Sequence, residues 1–174
     1  MYVNQFRSLY SNQGIWTRHL DIYPDHRGKF LEICRFQELD YLGITFAQSS
    51  YSYSTRDVVR GLHSQINQWQ LITLLKGSLA QFLLDTNLKS DNSNYKTILE
   101  LDADKLNQVL IAPGVYHGYH VTSDDAMISY HTSTIYQEEL ERRIDLIGTF
   151  QDCYLFPNDI VISKLDRDAS WRQD

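Results

Sequence analysis

Three short segments place titratable and hydrogen-bonding side chains inside runs that otherwise read as apolar strands. They are Val59-Arg60-Gly61-Leu62-His63-Ser64-Gln65, Ala112-Pro113-Gly114-Val115-Tyr116-His117-Gly118-Tyr119-His120 and Ser129-Tyr130-His131-Thr132. An unpaired polar group in such a run costs free energy, so each needs a partner or a task. His and Tyr titrate on either side of neutrality and together can remove and return a proton without a cofactor. Proton transfer is the chemistry these residue types favour. The competing reading of His63 is a core histidine satisfied by a backbone carbonyl.

Other chemistries find less support. His63, His117, His120 and His131 raise the question of a metal, but a three-imidazole site would want a His-x-His pair on one strand face. Here His63 is followed by Gln65, and the odd spacing of His117 and His120 puts them on opposite faces, so no metal site is expected. There is no Gly-x-Ser-x-Gly elbow, no Gly-rich phosphate loop, and neither Cys34 nor Cys153 lies in a nucleophile-like context. Plain alternation puts Arg60 and Leu62 on one face of their strand and Gly61 and His63 on the other, unless Gly61 marks a bulge that re-aims them.

The elements that must carry these side chains read mainly as β. Gln70 to Leu75 and Leu79 to Leu84, joined through Lys76-Gly77-Ser78, form a hairpin pattern. Further strands are expected at Thr17 to Ile22, Lys29 to Cys34, Phe46 to Tyr53, Tyr95 to Leu101, Gln108 to Ile111, Gly118 to Thr122 and Ala126 to Thr132. Turn residues separate them, as at Asp25-His26-Arg27-Gly28, Asp91-Asn92-Ser93-Asn94 and Ala112-Pro113-Gly114. Helix is expected only at Phe36 to Leu42, closed by Gly43, and around Glu138 to Arg143. Many short strands with regular turns predict a sandwich or closed barrel whose interior can hold a small ligand. With no repeat or linker, residues 1–174 read as one domain.

Composition narrows the partners. The 174 residues carry a net charge of −6 with no basic run, which argues against a nucleic-acid polymer but leaves room for a small anion held by a few Arg. Two cysteines without CxxC spacing read as reduced thiols of a cytoplasmic protein. The polar stretch Met1 to Tyr10 is no signal peptide, and no apolar run approaches the roughly 20 residues that span a bilayer. The 12 Tyr give an aromatic surplus that also hydrogen-bonds.

In chain order the sequence also contains Asp25-x-Arg27-Gly28-x-Phe30-x-Glu32, Phe46-Ala47-Gln48, Arg60-Gly61-Leu62-His63-x-Gln65, Pro113-Gly114-x-x-His117-Gly118-Tyr119, Tyr130-x-Thr132 followed by Tyr136, and Ile162-Ser163-x-x-Asp166-Arg167. Six such motifs in order, from Tyr23 to Asp168, resemble the dTDP-4-dehydrorhamnose 3,5-epimerases and the wider nucleotide-deoxysugar epimerases. The resemblance implies an all-β jelly-roll cupin barrel with short peripheral helices, assembled as a homodimer. It implies no cofactor and a nucleoside-diphospho-4-keto-6-deoxysugar substrate inverted at C3, C5 or both.

By the same resemblance His63 is the general base, Asp166 its carboxylate partner, and Tyr130 the acid on the opposite face of the sugar. His117 lines the pocket. Arg27, Arg60 and Gln48 hold the diphosphate and sugar, and Glu32 contacts the nucleotide. Phe30 and Tyr136 sandwich the base, one of them reaching across from the other subunit. The alternative for those two rings is core packing.

The chain departs from the family pattern in several places. Gln70 stands where a Lys usually faces the enolate oxygen, and an amide there brings no charge. His131 replaces the Lys after the acid Tyr, Ser50 replaces a common Asn, and Asp85-Thr86-Asn87 and Arg143-Ile144-Asp145-Leu146 replace Asp-Leu-Arg and Gly-Ile-x-Trp. These changes point to a divergent epimerase with another sugar or nucleotide. A sugar-nucleotide 3,4-ketoisomerase and a non-catalytic sugar-nucleotide-binding cupin are the alternatives.

Overall fold

The apolar runs become strands because each side chain in them finds a buried face. The structure, a computed structural model, describes residues 7–8, 14–86 and 95–169. In chain order the strands are β1 (Arg7–Ser8), β2 (Ile15–Arg18), β3 (Ile22–Asp25), β4 (Gly28–Leu31), β5 (Gln48–Thr55), β6 (Val58–Gln65) and β7 (Gln70–Lys76). They continue with β8 (Ser78–Asp85), β9 (Tyr95–Asp102), β10 (Gln108–Ile111), β11 (Tyr116–Val121), β12 (Asp125–Thr132), β13 (Glu141–Arg143) and β14 (Val161–Ile162). Two short helices, α1 (Leu146–Phe150) and α2 (Lys164–Arg167), lie near the C-terminal end.

Two sheets face each other, in the order β1-β2-β10-β7-β12-β5 and β13-β6-β11-β8-β9, and the β3–β4 hairpin stands apart as a third, two-stranded sheet. This is the all-β jelly-roll, cupin-like architecture expected. Ile72, Leu74, Leu79, Leu83, Val109, Val121 and Ile128 fill the space between the sheets. A second cluster around Phe82, Leu62, Leu146 and Phe150 covers the outer face of the second sheet. A third, with Leu39, Ile44, Leu71 and Leu110, covers the first. The central strands of both sheets are thus covered on both faces, while β5 at the edge of the first stays largely exposed. That is why β8 after Ser78 is apolar and buried almost continuously rather than in alternation.

Phe36–Leu42 is helical as expected, in 3-10 form, and Gly43 closes it with φ of 67°. The expected strand Thr17 to Ile22 divides into β2 and β3, and that from Lys29 to Cys34 stops at Leu31. The expected helix at Glu138 to Arg143 is corrected to a 3-10 turn at Glu138–Leu140 followed by β13. There Glu141 pairs with Gln65 and Arg143 with His63, so the open edge of β6 outweighs the local preference of a charged run. The turn at 91–94 and Asn87 lie outside the described residues. Cys34 and Cys153 are free thiols. Among the described residues, no helix is long and apolar enough to cross a membrane.

Candidate active site

A cavity of about 420 Å³ opens between the two sheets. Gln48, Ser50 and Ser52 of β5, Gln70 of β7, and Tyr130 and Thr132 of β12 form one wall. The other wall comes from β6, β11 and β13 through Arg60, His63, Gln65, His117, Tyr119 and Glu141, and Gln68 and Tyr136 complete the lining.

A bulge in β6 aims the second wall. His117 pairs with His63 and Tyr119 with Arg60, so the single residue Gly118 of β11 opposes two of β6, Gly61 and Leu62. Arg60 and His63, an odd number of positions apart, therefore face the same cavity, while Leu62 turns to the outer cluster. Only glycine fits this crossing. Gly61 has φ of 108°, and a Cβ on it would lie 2.5 Å from the Cα of Gly118. A Cβ on Gly118 would lie 2.5 Å from the Arg60 carbonyl oxygen.

Behind His63 sits Asp166, 4% exposed, whose Oδ1 lies 2.6 Å from His63 Nε2. The strand β14 runs parallel to β6 at Val58 and Val59, and Ser163 caps the following turn by accepting a hydrogen bond from the Asp166 N–H, which fixes this carboxylate. Burial pushes the Asp166 carboxyl up, but the hydrogen bond and charge of His63, with Ser163 and the Gly61 N–H, hold it below the ordinary value of 3.8. Because the carboxylate only accepts, Nε2 is the donor of this pair and Nδ1 is the nitrogen left facing Glu141. On that side Glu141 Oε1 lies 3.7 Å away. Glu141 Oε2 accepts from Tyr136 Oη at 2.8 Å and Arg143 Nη2 at 2.6 Å, and Arg143 Nη1 donates to Asp166 Oδ1 at 3.2 Å.

On the facing sheet the Tyr130 hydroxyl opens a chain of hydroxyls. Ser52 Oγ lies 3.3 Å from it, Tyr119 Oη 3.3 Å from Ser52, and Ser54 Oγ 3.0 Å from Tyr119; Arg60 Nε donates to Ser54 Oγ at 3.3 Å. Burial, with Tyr119 adding, pushes the Tyr130 phenol far above its ordinary value, so it holds its proton at neutral pH. Burial first and His63 second lower His117 to about 3, so it is a neutral imidazole.

The four histidines divide between different environments. His63 and His117 share the cavity, whereas His120 turns outward to Tyr154 Oη at 2.8 Å, as the odd spacing required. His131 packs edge-on against Phe36 and at a tilt against Phe46 on the outer face of the first sheet. Among the described residues, no group of three His, Cys, Asp or Glu forms a candidate metal shell.

The sequence model of the dTDP-4-dehydrorhamnose 3,5-epimerases matches residues 11–173. The chain belongs to this family. It is an isomerase of the epimerase type. The dTDP-4-dehydrorhamnose 3,5-epimerase of Methanothermobacter thermautotrophicus is 29% identical over 161 residues, 87% of this chain and 85% of the relative. That of Shigella flexneri is 31% identical over 129 residues, 71% of each chain. The crystal structure of the Legionella pneumophila Philadelphia 1 enzyme RmlC, in complex with dTDP-4-keto-L-rhamnose, matches with a TM-score of 0.82 at 26% identity, covering 92% of this chain and 89% of that one.

Of the residues singled out from the sequence, His63, Tyr130, Gln48, Ser50, Arg60, Gln70, His117 and Tyr136 line the cavity of this epimerase-family chain, and Asp166 backs it. Arg27, Phe30 and Glu32 do not line the cavity of their own subunit. Arg27 pairs with Asp25 at 2.6 Å, Glu32 pairs with Arg35 at 2.6 Å, and Phe30 is 67% exposed. All three lie on or just after the separate β3–β4 hairpin. Sequence reasoning missed Glu141, Arg143 and Ser52 beside the cavity. The first two were hidden by reading their strand as helix.

Proposed function

We propose that this chain epimerises a dTDP-4-keto-6-deoxysugar at C3, C5 or both, with His63 as base and Tyr130 as acid. The observation that carries the reading is the placement of His63, paired with Asp166, on one sheet and of Tyr130 on the sheet facing it across one cavity. The ketone acidifies the neighbouring C–H. His63 Nδ1 takes that proton, Asp166 stabilises the imidazolium that forms, and the electron pair delocalises onto the C4 oxygen as an enolate. Tyr130 returns a proton to the same carbon from the other side, inverting it, and the Ser52–Tyr119–Ser54 hydroxyls solvate the phenolate. Gln70 donates to the enolate oxygen as a neutral group, so Arg60 is the one Lys or Arg among the described cavity-lining residues and is left for the diphosphate.

Tyr136, held through its hydroxyl to Glu141, offers its ring to the base of the nucleotide. A homodimer completes the site in this reading. The β3–β4 hairpin, with Tyr23 and Phe30 59% and 67% exposed and their rings 6.4 Å apart, covers the cavity mouth of a second copy and brings Arg27, Phe30 and Glu32 to it. Incubation with dTDP-4-keto-6-deoxyglucose and related 4-keto sugars in deuterated water tests the chemistry. Solvent deuterium is expected at C3, C5 or both; its absence from every sugar at both carbons overturns the reading.

A further inference from the structure

We propose that Arg143 is a positioning residue that holds the two carboxylates flanking His63 and thereby keeps this histidine available as a base at neutral pH. One guanidinium spans both anions. Its Nη2 lies 2.6 Å from Glu141 Oε2 and its Nη1 lies 3.2 Å from Asp166 Oδ1, the same oxygen that meets His63 Nε2 at 2.6 Å. The two carboxylate side chains are only 9% and 5% exposed, so their charges act on the imidazole with little screening by water. Two anions beside one imidazole favour its protonated form, which cannot accept a proton from substrate. The fixed positive charge of Arg143 offsets one of them. Its fork also fixes the Glu141 carboxylate, whose Oε1 stands 3.7 Å from His63 Nδ1.

The remaining neighbours of His63 do not supply this charge. His117 on β11 is neutral, Arg60 on β6 itself is turned to Ser54, and Tyr130 and Tyr136 keep their protons. Asp166 on α2 and Glu141 on β13 are the facing anions, and Arg143 joins them.

The inference rests on the proposed role of His63, and its test is made separable from that role. The imidazole of His63 is titrated by NMR in the unliganded protein, with the signal assigned by its loss in His63→Gln. In Arg143→Gln the midpoint is expected to move to higher pH, a gain in proton affinity of about tenfold. Arg143→Lys restores the charge without the fork and is expected to bring the midpoint part of the way back. Glu141→Gln removes an anion and is expected to move it the opposite way, which keeps the test open should Arg143→Gln fold poorly. The acid limb of the deuterium-exchange rate should follow the same shifts. An unmoved midpoint in Arg143→Gln, or shifts of the same sign in Arg143→Gln and Glu141→Gln, overturns the role of Arg143. Loss of deuterium incorporation in the unmodified protein bears instead on the epimerase reading.

Discussion

In the proposed mechanism two side chains on facing walls divide the proton transfers, and single substitutions should separate the two steps. In Tyr130→Phe the base remains, so His63 still removes a proton and returns it, or a deuteron, to the same face. Solvent deuterium should then enter recovered starting sugar while the inverted product falls by about 100-fold or more, read by mass spectrometry and NMR of the sugar. His63→Ala should lose both. A Tyr130→Phe variant that inverts at the parental rate would remove Tyr130 from the acid's role. The departure at Gln70 belongs to this scale as well: in the proposed mechanism a neutral donor stabilises an enolate less than a charged one and leaves more of the work to the His63–Asp166 pair.

Between neighbouring elements, the decisive feature is the crossing of β6 and β11 at Gly61 and Gly118. The bulge turns Arg60 and His63 to one cavity, and the glycines let the two backbones meet. In Gly118→Ala the new Cβ would stand 2.5 Å from the Arg60 carbonyl oxygen and 2.6 Å from Leu146 Cδ1, so strand and helix must part. The expected loss of stability is on the order of 2 kcal/mol, measured by urea unfolding, with exchange activity falling more than the folded fraction does. Unchanged stability and activity would show that the crossing tolerates a side chain. The parallel pairing of β14 with β6 matters for a related reason, since it delivers Asp166 to a histidine 103 residues earlier in the chain.

For the molecule as a whole, stability and assembly are both open to measurement. Burial, with His63 adding, lowers the His117 pKa from 6.5 to about 3 in the folded chain. Unfolded chains therefore take up a proton that the folded chain refuses, and stability falls as the pH drops from about 6.5 toward 3. Between pH 7 and 4.5 this amounts to roughly 2 kcal/mol, and His117→Gln should remove that part of the slope in urea midpoints. The Asp166 carboxyl is also held below its ordinary value, so its contribution is likewise lost as the pH falls, but in a lower range. That contribution is full above 3.8 and is lost only at lower pH, outside this window. Sedimentation should give a dimer, and Phe30→Ala should raise KM for the nucleotide sugar although Phe30 lies outside its own subunit's cavity. A monomer with full activity would remove the hairpin from the site.

By itself the sequence determined the strand-rich fold and the positions of most strands, and it supplied the His and Tyr residues on which the proposed chemistry rests. Apolar periodicity, turn residues and residue type are local properties that survive in one dimension. The ordered motifs carried His63, Tyr130 and Asp166 as well. Only the tertiary structure decided that β6 bulges at Gly61, since alternation alone left Arg60 and His63 on opposite faces. It also decided that residues 141–143 form a strand, and so brought Glu141 and Arg143 beside His63. Both outcomes depend on backbone partners that are distant in the chain, and the physical reason is the same in each. An open strand edge and a close glycine crossing are satisfied by neighbours in space, which no local pattern encodes.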